Sequence, residues 1–503
     1  MTALGLIQTG ELPPLAQPTI IAVAVVYFII VGAIGVWATR KTKTAADFFV
    51  AGEGIGLLAL TLAAMSATLS GFAFIGGPGL VYTAGLGAMF IMLPAAITAS
   101  MTSWALAKRM RLLGEVRGLI TVPDAIGARY RSPAAQGLSG LAILIAVIGY
   151  MATNILALGL VIDAIFGTGL TWGVWIGMAI VLGYSVAGGI LAGVYTDMFQ
   201  GTLMAVASVL VFVYTLKAGG GMGGISRTIL AADPAYMGPF GKMGAVAALS
   251  LFFVFGVGSL GQPHVIHKFY MLKDPRKLKW YPLLVTAALL VTMLLYFGVG
   301  VAVKALVAGG QMEPLARPDD ATPFFLLRYT PTLLAGLVFS GVAAAIMSTV
   351  NSFMSIGAAA VTHDLPIALG RRVENELRWG RISTVAISVA AALLALLPGA
   401  LVAFLGIFGW GLFASTLVPA LAIGLNWEGA TKEGAIASIS TGLVVTLLFE
   451  TLAFYKAYSF PAGVTVSGLS LVLSILVFFA VSWATRARAA SQLDGDVKLV
   501  MSI

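Results

Sequence analysis

The sequence predicts an all-α polytopic membrane protein, and three observations carry that prediction. First, 59% of the 503 residues are hydrophobic and only 10% are charged, a composition outside the range of soluble domains. Second, apolar runs of about 20 residues recur along the chain, each long enough to cross a hydrocarbon core of about 30 Å as a helix. Third, the 29 Lys and Arg residues collect in alternate connections, as in a chain threaded back and forth across a bilayer. The runs are continuous rather than alternating, so a transmembrane β-barrel is excluded.

Thirteen spans are predicted, at about 19–39, 56–76, 85–107, 136–161, 171–191, 198–217, 244–262, 281–305, 332–356, 382–398, 401–425, 433–453 and 462–485. The first is preceded by "MTALGLIQTGELPPLAQPT", which lacks the positive region and cleavage site of a secretory signal, so it reads as a retained span. With the N-terminus outside and the C-terminus cytoplasmic, 22 of the 29 basic residues fall in inner segments. The net charge of +9 therefore reports topology in the cell (inner) membrane, and nucleic acid is excluded as a partner. Clusters such as "KDPRKLKW" (273–280) and "GRRVENELRWGR" (370–381) suit contact with anionic lipid headgroups. Zero cysteines exclude disulfides and thiolate metal sites. Oligomeric state is left open, a monomer being compatible with everything above.

The two longest breaks, about 218–243 and 306–331, are rich in Gly and Pro and are predicted outside. Each suits a loop with short helices and an outer gate, or a plain connector. Two spans carry helix-breaking residues: the second reads "LAAMSATLSGFAFIGGPGLVYTAG" (62–85), the seventh "LFFVFGVGSLGQPHVIHKFY" (251–270). They sit five spans apart and run in opposite directions. Inverted repeats of five helices would place them so, with sites where the broken helices expose backbone groups; glycines that only allow close packing are the plainer account of each span alone.

Within the ninth span, Ala345, Ser348, Thr349 and Ser352 are spaced i, i+3, i+4 and i+7 and share one face. Hydroxyls bonded back to the i−4 carbonyl, among small residues that let helices approach, would produce this stripe. So would a sodium site, because a hard cation needs several oxygens, which one helix can supply as hydroxyls and a broken one as carbonyls.

Four stretches, "DFFVAGEGIG" (47–56), "GVYTDMFQGTLM" (193–204), "GQPHVIHKFYMLKDP" (261–275) and "AAAIMSTVNSFMSIGAAAVTHDL" (343–365), resemble the sodium:solute symporter family in this order and over nearly the whole chain. The resemblance implies the inverted-repeat fold of the leucine transporter and sodium-driven uptake by alternating access. It divides a single transmembrane domain, 1–503, into an extra N-terminal helix (19–39), a first repeat (56–217), a second repeat (244–425), two C-terminal helices (433–485) and a cytoplasmic tail (486–503). The sodium ligands it implies are the carbonyls of Ser66, Leu69 and Ala345 with the hydroxyls of Ser348 and Thr349. No carboxylate lies in 54–107 or 329–363, so neutral dipoles would hold the ion. Some members bind a second sodium at an Asp where Asp197 stands, with Ser348, Asn351 and Ser352 as partners here. Thr196-Asp197 capping the start of the sixth span is the alternative.

Matching positions imply a substrate site near the bilayer midplane built from Thr68, Phe72, Tyr150, Asn154, Phe255, Ser259 and Gln262. The proline-transporting branch carries Asp, Trp and Tyr where Thr68, Phe255 and Ser259 stand here. "SGFAFIGGPGLVYTAGLG" (70–87) is similar to the branch that includes pantothenate and monocarboxylate transporters. Without an intramembrane Lys or Arg, a carboxylate would be held by broken-helix N–H groups, hydroxyls and the adjacent Na+, so a small organic anion or zwitterion is expected. His264, His267 and His363 are expected in inner loops or headgroups, with no metal other than Na+ bound. An ion channel, a membrane enzyme and a solute sensor are the competing classes. No selectivity loop or convergent acid–base set is visible, and the tail is too short for a kinase.

Overall fold

The computed structural model describes residues 18–41 and 55–503, apart from positions 398, 400, 459 and 462. Residues 47–54 of the first family-like stretch and the segment before the first span lie outside the described residues. The described residues form helices and turns without a strand, a lone bridge pairing Ile55 with Leu272. In chain order the main helices are α1 (Pro18–Lys41), α2 (Leu57–Thr68), α3 (Gly77–Ala84), α4 (Met89–Thr102), α5 (Lys108–Arg117), α6 (Val122–Tyr130), α7 (Pro133–Phe166), α8 (Leu170–Ala218) and α9 (Gly221–Ala232). They continue with α10 (Ala245–Val257), α11 (Tyr281–Ala308), α12 (Ala321–Tyr329), α13 (Thr332–Ala359), α14 (Glu376–Ala395), α15 (Val402–Leu417), α16 (Lys432–Phe454), α17 (Val466–Ala484) and α18 (Gly495–Met501).

Among the described residues, ten helical segments are long and apolar enough to cross a membrane, and 18–34, 57–66 and 170–183 are apolar but shorter. The separate spans expected at 171–191 and 198–217 are one helix of 49 residues. "VAGGILAGVYTD" (186–197) contains no proline, so no backbone N–H is missing, and its glycines weaken a helix without barring it. The reading of Thr196-Asp197 as a helix-start cap therefore fails, because Asp197 lies inside α8.

Both expected interruptions are present. α2 stops at Thr68, Leu69 turns out of helical geometry (φ −88°, ψ 72°), and the chain re-enters helix through a wide turn at Phe72–Gly76 before α3. α10 tightens into Gly258–Gly261, extends at Gln262 (φ −83°, ψ 103°), and resumes at Pro263. This second span continues to Met271, nine residues past its expected end. The two broken segments are laced together at one end, where Ile55 N–H donates to the Met271 carbonyl (3.1 Å) and Lys273 N–H to the Ile55 carbonyl (3.0 Å).

α13 is the axis of the bundle. It is buried from Val338 to Ala359 and packs against α1, α2, α7, α8 and α14, so its all-round apolar sequence with one hydroxyl stripe suits a central helix. Close approach at the break is paid for in glycine: a Cβ on Gly258 would stand 2.8 Å from Ala414 Cβ and 3.0 Å from Trp410 Nε1. Short connections are locally capped. Thr121 and Asp124 close a reciprocal capping box on α6, and Ser132 caps α7, as Ser/Thr/Asp at these positions predict.

The breaks at 218–243 and 306–331 do carry short helices, α9 and α12. Asp233 ties the first to Lys242 (2.6 Å) and Lys304 (2.9 Å). The tail docks through α18: Arg117 contacts Asp494 (2.8 Å) and Asp496, and Arg109 donates to the Met501 carbonyl (3.1 Å).

Candidate functional site

Thr349 brings α13 onto the end of α2. Its hydroxyl lies 3.0 Å from the Ala345 carbonyl and 3.4 Å from the Ser66 carbonyl. Three of the five expected sodium ligands thus converge on one point, in a fully buried setting. Leu69 carries its carbonyl at the non-helical turn of the break. Ser348 is buried and its Oγ has no hydrogen-bond partner, an uncommon state for a buried hydroxyl and one that a cation would relieve. Ser66 turns its own hydroxyl away, to the Met204 sulfur at 3.7 Å, which suits a role through its carbonyl.

Asp197 meets Lys268 rather than solvent. Nζ and Oδ2 are 2.9 Å apart, and each side chain is 1% exposed. The Ser348 hydroxyl lies alongside the same carboxylate without closing a hydrogen bond, and Asp197 Oδ1 is unpartnered. Asn351 and Ser352 are buried farther along α13. The expectation of no intramembrane base is corrected here. Lys268 lies in a quoted family-like stretch, but a span ended at 262 left it in a loop; adding two turns would have exposed it as an intramembrane cation.

Of the expected substrate residues, Thr68, Ser259 and Gln262 line one small cavity with Ala99, Thr102, Val265, Tyr281, Val285, Leu289 and Trp410. Ser259 Oγ donates to the Gly256 carbonyl (2.8 Å) and touches Thr102 Oγ1 (3.0 Å). Gln262 Nε2 donates to the Gly258 carbonyl at 2.9 Å, and its Oε1 is buried without a partner. Phe72 stacks on Phe255 (5.8 Å between centroids), which stacks on Trp410 (5.1 Å), making an aromatic layer beside the cavity.

Tyr150 and Asn154 serve the break instead. Asn154 Oδ1 accepts from Gly71 N–H (2.9 Å) and its Nδ2 donates to the Tyr150 carbonyl, while Tyr150 OH meets Ser70 Oγ at 3.2 Å. Trp410 and Thr102 were missed. A tryptophan in the middle of a span, "FGWGLF" (408–413), departs from the interfacial habit of that residue and is the signal that could have found it.

The histidines are not headgroup residues. His264 is buried against Tyr150 and Phe353, and His267 Nε2 meets the Ile120 carbonyl at 2.8 Å. His363 Nε2 lies 3.1 Å from both Asp124 oxygens, and the three groups Asp124, His363 and Asp364 stand within 4.8 Å of one another. Asp124 already accepts from the Ile120 and Thr121 N–H groups and from Gln136, so the cluster works as a hydrogen-bonded latch between α6 and the end of the α13 span. Arg129 fastens the other side of α6, donating to the Gly424 (2.7 Å) and Trp427 (2.9 Å) carbonyls.

At the opposite end, residues 318–329 lie over the wide turn at Phe72–Gly76 and α3, which follow the first break. Thr322 Oγ1 donates to the Phe74 carbonyl at 2.7 Å, and Asp319 Oδ2 accepts from Val402 N–H at 3.0 Å, capping the otherwise unsatisfied start of α15. Burial pushes the Asp319 carboxyl up to about 6, the Val402 hydrogen bond opposing the shift only in part.

Residues 48–442 match the family described as Sodium:solute symporter family. The chain is 30% identical over 492 residues to the osmoregulated proline transporter OpuE of Bacillus subtilis, with 95% of this chain and 97% of that protein covered. It is 27% identical over 497 residues to a sodium/proline symporter of Staphylococcus aureus, with 95% of each covered. A solved Na+-coupled sialic acid symporter, in a substrate-bound outward-open state, superposes with a TM-score of 0.75 at 17% identity over 93% of this chain and 98% of that one. MHP1, a nucleobase-cation-symport-1 family transporter in a closed conformation, gives 0.55 at 13% identity over 90% and 98%. At such identities the likeness is one of fold.

Proposed function

The chain belongs to the sodium:solute symporter family, and from that premise we propose that its solute is a small zwitterionic amino acid, with proline the first to test. The protein is a multi-pass membrane transporter with the leucine-transporter fold that couples uptake of a small solute to sodium; it is not an enzyme. The proposal extends this to the solute and to the residues that hold it and the ion.

One observation carries the choice of solute. Gln262 Oε1 is a buried acceptor without a partner on the wall of the cavity, and it suits the N–H groups of an amine. A plain carboxylate anion would leave it unsatisfied, at a cost of about 1–3 kcal/mol. Sodium held by the Ser66, Leu69 and Ala345 carbonyls and the Ser348 and Thr349 hydroxyls would be bound by residues on either side of Thr68, and would draw the carboxylate end. Trp410 packs against the apolar body. Proline comes first because the relatives are named for it, although Thr68, Phe255 and Ser259 give this chain a pocket of its own.

The repeats at 56–217 and 244–425 and a cytoplasmic C-terminus belong to the same reading. Docking of α18 on Arg117 and Arg109 supports it, because it sets the tail on the side of the basic connection after the third predicted span. A thermal-shift screen of purified protein against amino acids and carboxylates, in Na+ or in choline, tests the solute. Sodium-dependent stabilisation by proline or another amino acid is expected, and it should be lost in Gln262→Leu. A hit confined to solutes without an amino group would refute the zwitterion.

A further inference from the structure

We propose that the Lys268 ammonium is a built-in cation occupying the position beside Asp197 and Ser348, so that each transport cycle carries one sodium. The inference rests on the sodium reading above and concerns the number of ions, not their existence.

A carboxylate buried to 1% exposure needs a compensating charge, because an uncompensated ion in a low-dielectric interior is expensive. Asp197 finds that charge in a neighbouring segment: Lys268 Nζ stands 2.9 Å from Oδ2, itself 1% exposed. The pair is neutral, so nothing is left to draw a second unit charge. A sodium brought to Asp197 and the Ser348 hydroxyl would face the ammonium across a few ångströms with little water to screen the repulsion. The one charged group expected to hold that sodium, Asp197, therefore already faces a cation supplied by the chain itself, through Oδ2.

The placement of Lys268 also makes the pair mechanical. It sits past the break at 258–262, on the segment whose end is bonded to Ile55 at the start of the other broken span. Asp197 sits on α8, outside that unit. Relative movement of the broken spans and α8 must part or carry the pair, and Ser348, next to Thr349 on α13, lies where the parting would be felt at the sodium site.

Equilibrium binding of radioactive sodium to the purified full-length protein tests the proposal without knowledge of the solute. One sodium per wild-type protein is expected, and two in Lys268→Met, where Asp197 keeps its charge and loses its partner; the sodium dependence of binding should steepen accordingly. In Lys268→Met with Asp197→Asn both charges are gone, and the count should return to one. Two sodium ions in the wild type, or a count of one in Lys268→Met, overturns the proposal. If Lys268→Met does not fold, the neutral double variant decides: one sodium supports the proposal, and none shows Asp197 to be a ligand of the only ion and overturns it. Absence of bound sodium in the wild type would instead remove the sodium reading beneath.

Discussion

Asp319 offers a test of whether the 318–329 segment is an outer cover whose hold depends on pH. Its side chain is 3% exposed, and burial raises its carboxyl from the ordinary 3.8 to about 6. In a lifted segment the group returns to water and to its ordinary value. The covered arrangement therefore gains stability when Asp319 is protonated; the gain is complete below about pH 4 and is lost as pH rises through about 6. A shift of about two units corresponds to about 3 kcal/mol between the extremes. Between pH 7 and pH 5 the ratio of covered to lifted protein should rise about tenfold. The chain has no cysteine, so Thr68→Cys supplies a single reporter thiol on the cavity wall. Its labelling by an impermeant reagent added outside should slow about tenfold on acidification beyond the slowing seen in an Asp319→Asn background, which corrects for thiol ionisation. Equal pH dependence in both backgrounds would refute the argument.

The other tests are simpler. Ser348→Ala with Thr349→Ala removes the two hydroxyls proposed as neutral ligands, at about 1.5–3 kcal/mol each when the partner is charged, so half-maximal uptake should need at least about tenfold more sodium; an unchanged requirement sinks the site. Gly258→Ala drives a methyl into Ala414 and Trp410 and should cost about 1–3 kcal/mol, read as a lower melting temperature with weakened solute binding. Arg129→Met leaves the Gly424 and Trp427 carbonyls without their donor and should expose α6 to hydrogen exchange while sodium binding persists; protection equal to wild type would contradict the fastening of α6 by Arg129.

Legibility followed chemistry that is local in sequence. Gly261-Gln262-Pro263 announces a break because backbone freedom and a missing N–H act within a turn, and that break lies at Gln262; Gly76-Gly77-Pro78 stays within helix, and the first break lies upstream of it, at Leu69. The placement of Thr349 against the end of α2 was readable because a hydroxyl stripe on an apolar helix has one face to point along. Asn154 was not, because amides at a helix break serve backbone and solute with the same atoms, and only the positions of Gly71 N–H and the Tyr150 carbonyl decide between them. Lys268 and the histidines were misplaced for a different reason. Polarity marks a span's end only on average, and a buried counter-charge such as Asp197, 71 residues away, allows a lysine to stay inside.

By itself the sequence determined that this chain crosses a membrane many times, that two of its helices are broken, and that hydroxyls on a third can face one of the breaks. Those properties follow from hydropathy, backbone stereochemistry and helical periodicity, none of which needs a distant partner. The tertiary structure alone decided that Asp197 is paired with Lys268, that Gln262 presents a free acceptor to the cavity, and that His363 locks α6 in place. Each of these depends on which groups from remote spans share a low-dielectric space, where one missing or extra partner changes what a charge or a hydrogen bond can do.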